Sequence, residues 1–134
     1  MQGRDFLEVA RYLQTSDGEA YLRTRIGRAY YAAYLEARTY CEVHLDYSRT
    51  KSSREHQDVP KMIRDVDSFL ADELAFLRSY RTTADYDLDI SIDTIEANIV
   101  HAETKAVFVI AGLDALTDSR ASETRQFPTI EPGP

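Results

Sequence analysis

Residues 25–42 read "RIGRAYYAAYLEARTYCE". Ile26, Ala29, Tyr30, Ala33, Ala37, Tyr40 and Cys41 recur there at helical spacing, and Leu22 and Leu45 extend the pattern to a helix over Glu19–Leu45. At about 1.5 Å per residue such a helix is roughly 40 Å long. Small residues (Gly27, Ala29, Ala32, Ala33, Ala37) let a neighbouring helix approach closely, and Tyr30, Tyr31 and Tyr34 supply large surfaces with a polar tip. Two readings fit. The helix is buried on two or three sides with its tyrosines spanning core and rim. Alternatively it presents Tyr30, Tyr31 and Tyr34 to a second subunit, or a tyrosine hydroxyl and Arg28 to a ligand.

Working outward, Phe6, Val9, Ala10 and Leu13 predict a first helix over Asp5–Gln14, broken by "TSDG". "DYSRTKSSREHQD" reads as a polar loop with at most one helical turn, and Pro60 suits the first turn of a third helix. That helix carries Ile63, Val66, Phe69, Leu70, Leu74 and Leu77, with a break expected near Asp67-Ser68. A last long helix starts near Ser91 or Asp93, where Asp93 and Glu96 have capping-box spacing, and its stripe runs from Ile92 to Leu116. Glycine is scarce and no stretch alternates as strands do, so an all-α antiparallel bundle of four to five helices is expected over residues 1–118. Residues 119–134, with three of the four prolines, read as a flexible tail in which Phe127 and Ile130 are the apolar anchors.

The chain has 134 residues, enough for one core. No apolar run is long enough to span a membrane, and "MQGRDFLEVA" lacks the features of a signal peptide, so a cytoplasmic protein with no membrane association is expected. The lone Cys41 excludes an intrachain disulfide and reads as a small buried hydrophobe. Net charge is −7, but residues 1–60 balance nine Lys/Arg against nine Asp/Glu, while 61–134 carry seven against fourteen. With Arg23, Arg25 and Arg28 close together, a local positive face remains open to a phosphate ligand.

Chemistry-bearing residues concentrate in "LRSYRTTADYDLDIS", residues 77–91. The structural reading pairs Arg81 with Asp85 or Asp87, packs Tyr86 back into the bundle and ends the helix. The same arrangement sets Arg78 or Arg81 at a groove, where a guanidinium grips phosphate bidentately. His56 reads as a cap or loop contact, or as an imidazole supplied to a site. His44 and His101 read as rim residues. Three histidines this far apart offer no metal spacing, and "DYDLDIS" lacks the glycine and distal glutamate of a calcium loop, so neither a metal nor another cofactor is expected.

"RIGRAYYAAYLEART", His56, then "LRSYRTTADYD" and a long closing helix resemble the HEPN family of small prokaryotic all-α proteins over roughly Tyr21–Leu116. The resemblance implies a four- to five-helix bundle that dimerises. It also implies RNA or nucleotide binding, and often a minimal nucleotidyltransferase as partner in a toxin–antitoxin or defence context. Ribonucleases of the family use an R-x4–6-H motif. Here no histidine follows Arg81 (Asp85, Tyr86, Asp87, Leu88, Asp89) or Arg78 (Thr82 to Tyr86) in that window. A carboxylate, anionic near neutral pH, does not replace an imidazole. The two expectations are therefore a dimeric binding module, with Arg28, His56, Arg78 and Arg81 on the ligand, or a ribonuclease toxin with an altered site of Arg81 with Asp85, Tyr86 or His56.

Overall fold

The structure, a computed structural model, describes residues 1–13 and 18–126. It is an all-helical bundle of α1 (Asp5–Tyr12), α2 (Glu19–His44), α3 (Glu55–Val66), α4 (Ser68–Tyr86) and α5 (Ile92–Gln126), with no strand among the described residues. No described helix is long and apolar enough to cross a membrane.

The stretch at 25–42 forms the axis of the bundle, because α2 packs against each of the other four helices. Its small residues permit this: Ala29, Ala32, Ala33 and Ala37 are fully buried, as are Ile26 and Cys41. Cys41 is the buried hydrophobe expected, its thiol pushed up to about 11 by burial and then by the Glu42 charge. Tyr30 and Tyr34 are each 2% exposed, so surfaces that could have served a subunit contact are buried within the chain. Tyr31 is partly buried against the core.

Consecutive long helices oppose one another. Arg23 and Tyr31 of α2 meet Ala84 and Arg81 of α4, and Glu73 and Phe69 of α4 meet Lys105 and Phe108 of α5. It follows that α2 and α5 run in the same direction, with Arg25 on Glu103 at one end and Tyr40 on Arg120 at the other.

Several boundaries differ from the sequence reading. The break near Asp67 is present: Asp67 is extended (φ −154°), and its carboxylate accepts the Phe69 and Leu70 amides at 3.0 and 3.1 Å, capping α4. However, α3 begins at Glu55, so Pro60 lies inside the helix rather than in its first turn. Turn and side-chain bonds hold the earlier start, with Asp58 N–H on Arg54 O at 2.8 Å and Glu55 Oε1 accepting Lys51 N–H at 3.0 Å. Before it the loop takes two left-handed non-glycine residues, Asp46 and Lys51. The cap of α5 is Ser91, whose Oγ accepts Thr94 N–H at 3.2 Å, and not a box built on Asp93. Finally, α5 continues to Gln126, well past the end of its apolar stripe. Arg120 holds that end, donating to Tyr40 Oη at 2.7 Å. The "TSDG" break, apart from Gly18, and residues 127–134 with Phe127 and Ile130 lie outside the described residues.

Candidate phosphate-binding cavity

Pro60 links the fold to the site. An ordinary residue at that position would donate its N–H to the carbonyl of His56, four residues earlier; proline has no such donor, and its ring pushes against that carbonyl. The His56 carbonyl is thereby left for Arg78 on α4, whose Nη1 reaches it at 3.5 Å, the outer limit of a hydrogen bond. Between α2, α3 and α4 lies a cavity of about 640 Å³. Tyr30 and Tyr34 wall it from α2, His56, Gln57, Pro60 and Lys61 from α3. From α4 come Ala75, Arg78, Ser79, Thr82 and Thr83 at helical spacing, a polar stripe beside the apolar one.

The imidazole of His56 is fixed by tyrosines. Its ring stacks on Tyr34 at 4.4 Å between centroids and 18° between planes, and Tyr31 meets it edge-on at 6.3 Å. Its Nδ1 lies 2.6 Å from Tyr30 Oη. Burial raises the Tyr30 phenol above its ordinary range and the Tyr34 phenol to about 12, so both are protonated at neutral pH. Burial also lowers His56 below its ordinary value of 6.5, and the Arg78 and Arg81 charges lower it further. With Tyr30 protonated and His56 neutral, we assign the Tyr30 hydroxyl as donor to Nδ1, which leaves Nε2 carrying a proton. The site then holds an uncharged N–H donor beside a cation.

Because its folded value is depressed, His56 contributes stability that is complete above the unfolded value of 6.5 and is lost as pH falls through the lower folded one. Tyr30→Phe removes the proton given to Nδ1, freeing that nitrogen to take up one. The imidazole titration of His56, followed by NMR, is expected to move upward in this variant; an unchanged or lower midpoint would contradict the assignment.

The two arginines of α4 occupy different environments. Arg78 is partly buried and has no carboxylate within ion-pair distance among the described residues. Arg81 is paired: its Nε lies 2.9 Å from Asp85 Oδ2, too misaligned for a hydrogen bond, and its Nη2 donates to Tyr31 Oη at 3.3 Å. Of the two partners the sequence offered, Asp85 and Asp87, the structure pairs Arg81 with Asp85, one helical turn on. Arg81 does not line the cavity. Tyr86 is 73% exposed and does not pack back into the bundle, because α4 has already turned its apolar face away at Ala84. The helix end there is satisfied from α2, where buried Arg23 donates to Ala84 O at 2.8 Å and Asp87 O at 2.9 Å.

The arginine run of α2 is likewise no positive face. Arg23 pairs with Glu19 at 3.0 Å and Arg25 with Glu103 at 2.8 Å. Arg28 lies over the rings of Phe6 and Tyr31, at 5.4 and 6.0 Å, away from the cavity lining. His44 tilts against Tyr40 and His101 stacks on Tyr80, and neither lines the cavity. Of the expected ligand residues, His56 and Arg78 both line the cavity; Arg28 does not, and neither does Arg81, although its charge reaches the His56 ring. Lys61, Ser79, Thr82 and Thr83 escaped the sequence reading, although the spacing of the α4 stripe was there to be seen.

No family model, curated protein or solved structure matches the chain.

Proposed function

We propose that this chain is a binding module of the HEPN kind that takes the phosphate of an RNA or nucleotide in the cavity between α2, α3 and α4. One observation carries the reading: Arg78 is a partly buried guanidinium with no carboxylate partner among the described residues, set in the wall of a ligand-sized cavity. An uncompensated charge taken partly out of water is costly, and an incoming anion offsets that cost. Lys61 adds a second cation, His56 Nε2 a neutral donor, and Ser79, Thr82 and Thr83 hydroxyls for the remaining oxygens. The volume falls within the roughly 300–1,000 Å³ of small-ligand sites.

The ribonuclease reading has one observation in its favour, the placing of an imidazole from α3 beside an arginine from α4. The Tyr30 contact weighs against it, since a neutral imidazole whose Nδ1 accepts the Tyr30 hydroxyl's hydrogen bond and whose Nε2 carries the proton has no free lone pair for a substrate hydroxyl. Thermal melting with adenosine 5′-monophosphate and with adenosine tests the proposal. Ligand at a hundredfold its dissociation constant adds about 2.7 kcal/mol of stability. The nucleotide is therefore expected to raise the melting temperature by several degrees and the nucleoside to leave it unchanged; equal effects of the two would contradict a phosphate site. Incubation with total RNA is expected to leave the RNA intact, and degradation lost in His56→Ala would favour the nuclease instead.

The proposal includes a homodimer. Its support moves from the tyrosines of α2 to α4 and α5, where Phe69, Phe76 and Phe108 are each 53% exposed. Light scattering at micromolar concentration is expected to give about twice the 15.3 kDa chain mass. A mass near that of one chain would remove the dimer from the proposal.

A further inference from the structure

The cavity holds few charges for a site that binds a polyanion. Arg78 and Lys61 are its lining cations, and His56 is neutral. Beyond Thr83 the chain runs into Asp85, Asp87 and Asp89, all exposed. Past Leu74, toward the start of α4, Arg64 is already matched with Asp72 and Lys105 with Glu73, both at 2.8 Å. Lys51 and Arg54 stand in and beside the loop before His56, outside the lining. The chain as a whole carries −7. A strand crossing the site would bring one further phosphate for each further nucleotide, and each would meet carboxylates or already paired cations at these ends.

We infer that the cavity recognises a terminal phosphomonoester, carried by a free nucleotide or by the end of an RNA strand, rather than the phosphodiesters of a strand interior. This rests on the reading of the cavity as a phosphate site. Two cations match the two charges of a monoester, whereas an internal phosphodiester carries one. A guanidinium takes two phosphate oxygens in parallel, and the ammonium of Lys61 serves as a point charge for a third. His56 Nε2–H and the hydroxyls of Ser79, Thr82 and Thr83 are neutral donors, which complete an oxygen-rich ligand without attracting a longer polyanion. A strand leaving by the loop side would recruit Lys51 and Arg54 and so betray itself in its salt dependence.

Isothermal titration calorimetry of the full chain separates these cases. The probes are adenosine 5′-monophosphate and one RNA decamer in three forms: 5′-phosphorylated, 3′-phosphorylated and with hydroxyls at both ends. Expected is binding of the mononucleotide, alone or together with a phosphorylated decamer, with the unphosphorylated decamer at least tenfold weaker. Which of them binds identifies the source of the monoester. Between 50 and 200 mM salt, two phosphate charges correspond to a slope of log K on log salt of about −1.4 for a single strand. An unphosphorylated decamer that binds within about threefold of the phosphorylated forms, or a slope of about −3 or steeper, would overturn the inference while leaving a phosphate site in place. Absence of binding by every probe would overturn both. Lys61→Gln is the second arm: it is expected to weaken monoester binding at least fivefold with melting unchanged, and unaltered affinity would count against the two-cation match.

Discussion

Replacing Arg78 with alanine is expected to weaken phosphate binding roughly tenfold to a hundredfold, while the melting temperature stays within about 2 °C of the parent. Hydrogen bonds to a charged group contribute about 1.5–3 kcal/mol, and each 1.4 kcal/mol is a factor of ten in affinity. Arg78 has little to lose structurally, since its hydrogen bond among the described residues is the long contact with the His56 carbonyl. Arg81→Ala is expected to behave in the opposite way. It breaks the ion pair with Asp85, the bond to Tyr31 Oη and the contact of the guanidinium with the Tyr31 ring at 5.6 Å, and so lowers stability by about 1–2 kcal/mol. Binding per folded molecule should survive. Arg78→Lys refines the comparison: lysine keeps the charge but not the planar fork, so affinity should fall between the parent and the alanine variant. Melting curves and titrations of the three variants check this, and an Arg81→Ala that lost binding without losing stability would reverse the assignment.

Ile63→Ala is expected to be the most damaging change to the fold in the neighbourhood of the site. Helix α3 is held to the bundle by little apolar surface: Val59 and Ile63 are its fully buried side chains, with Glu55 nearly so. Truncating a buried isoleucine costs about 2–5 kcal/mol, the higher values applying where neighbours cannot close the cavity. For a chain of this size that corresponds to a fall in melting temperature on the order of 10 °C. Because the same helix carries His56, Pro60 and Lys61, binding should fall with stability. Denaturation monitored by circular dichroism tests the first expectation. A loss under about 3 °C would mean that α3 is anchored by its polar contacts, chiefly Glu55 with Arg38 (3.4 Å) and the Lys51 amide (3.0 Å).

What the sequence discloses here is mainly what acts over one or two helical turns. The α2 axis was legible from its alanines, the break at Asp67 from a polar pair between apolar stripes, and an Arg81 ion pair from the aspartates that follow it, though not which of Asp85 and Asp87 it takes. The start of α3 was not, because the first turn of "REHQDVP" has no apolar stripe and is held by turn and side-chain bonds. The end of α5 was missed for a related reason: past Leu116 the helix is supported by Arg120 on Tyr40, a contact between residues 80 positions apart. The cavity is a tertiary object, joining Tyr30, His56 and Arg78 across separations of 26 and 22 residues. The residue types were singled out from sequence, yet the choice between Arg78 and Arg81 depended on which one a carboxylate had already claimed. Pro60 was the local clue, since a proline four residues after His56 marks a carbonyl without its helical donor.

Side-chain NMR of the two arginines and of His56 during titration with adenosine 5′-monophosphate observes the contact itself. The resonances of Arg78 Nε and of the His56 ring are expected to shift together and saturably, while Arg81 Nε, held beside Asp85, stays in place. Shifts confined to Arg81 or Arg28, or none at saturating nucleotide, would contradict a phosphate site built on Arg78.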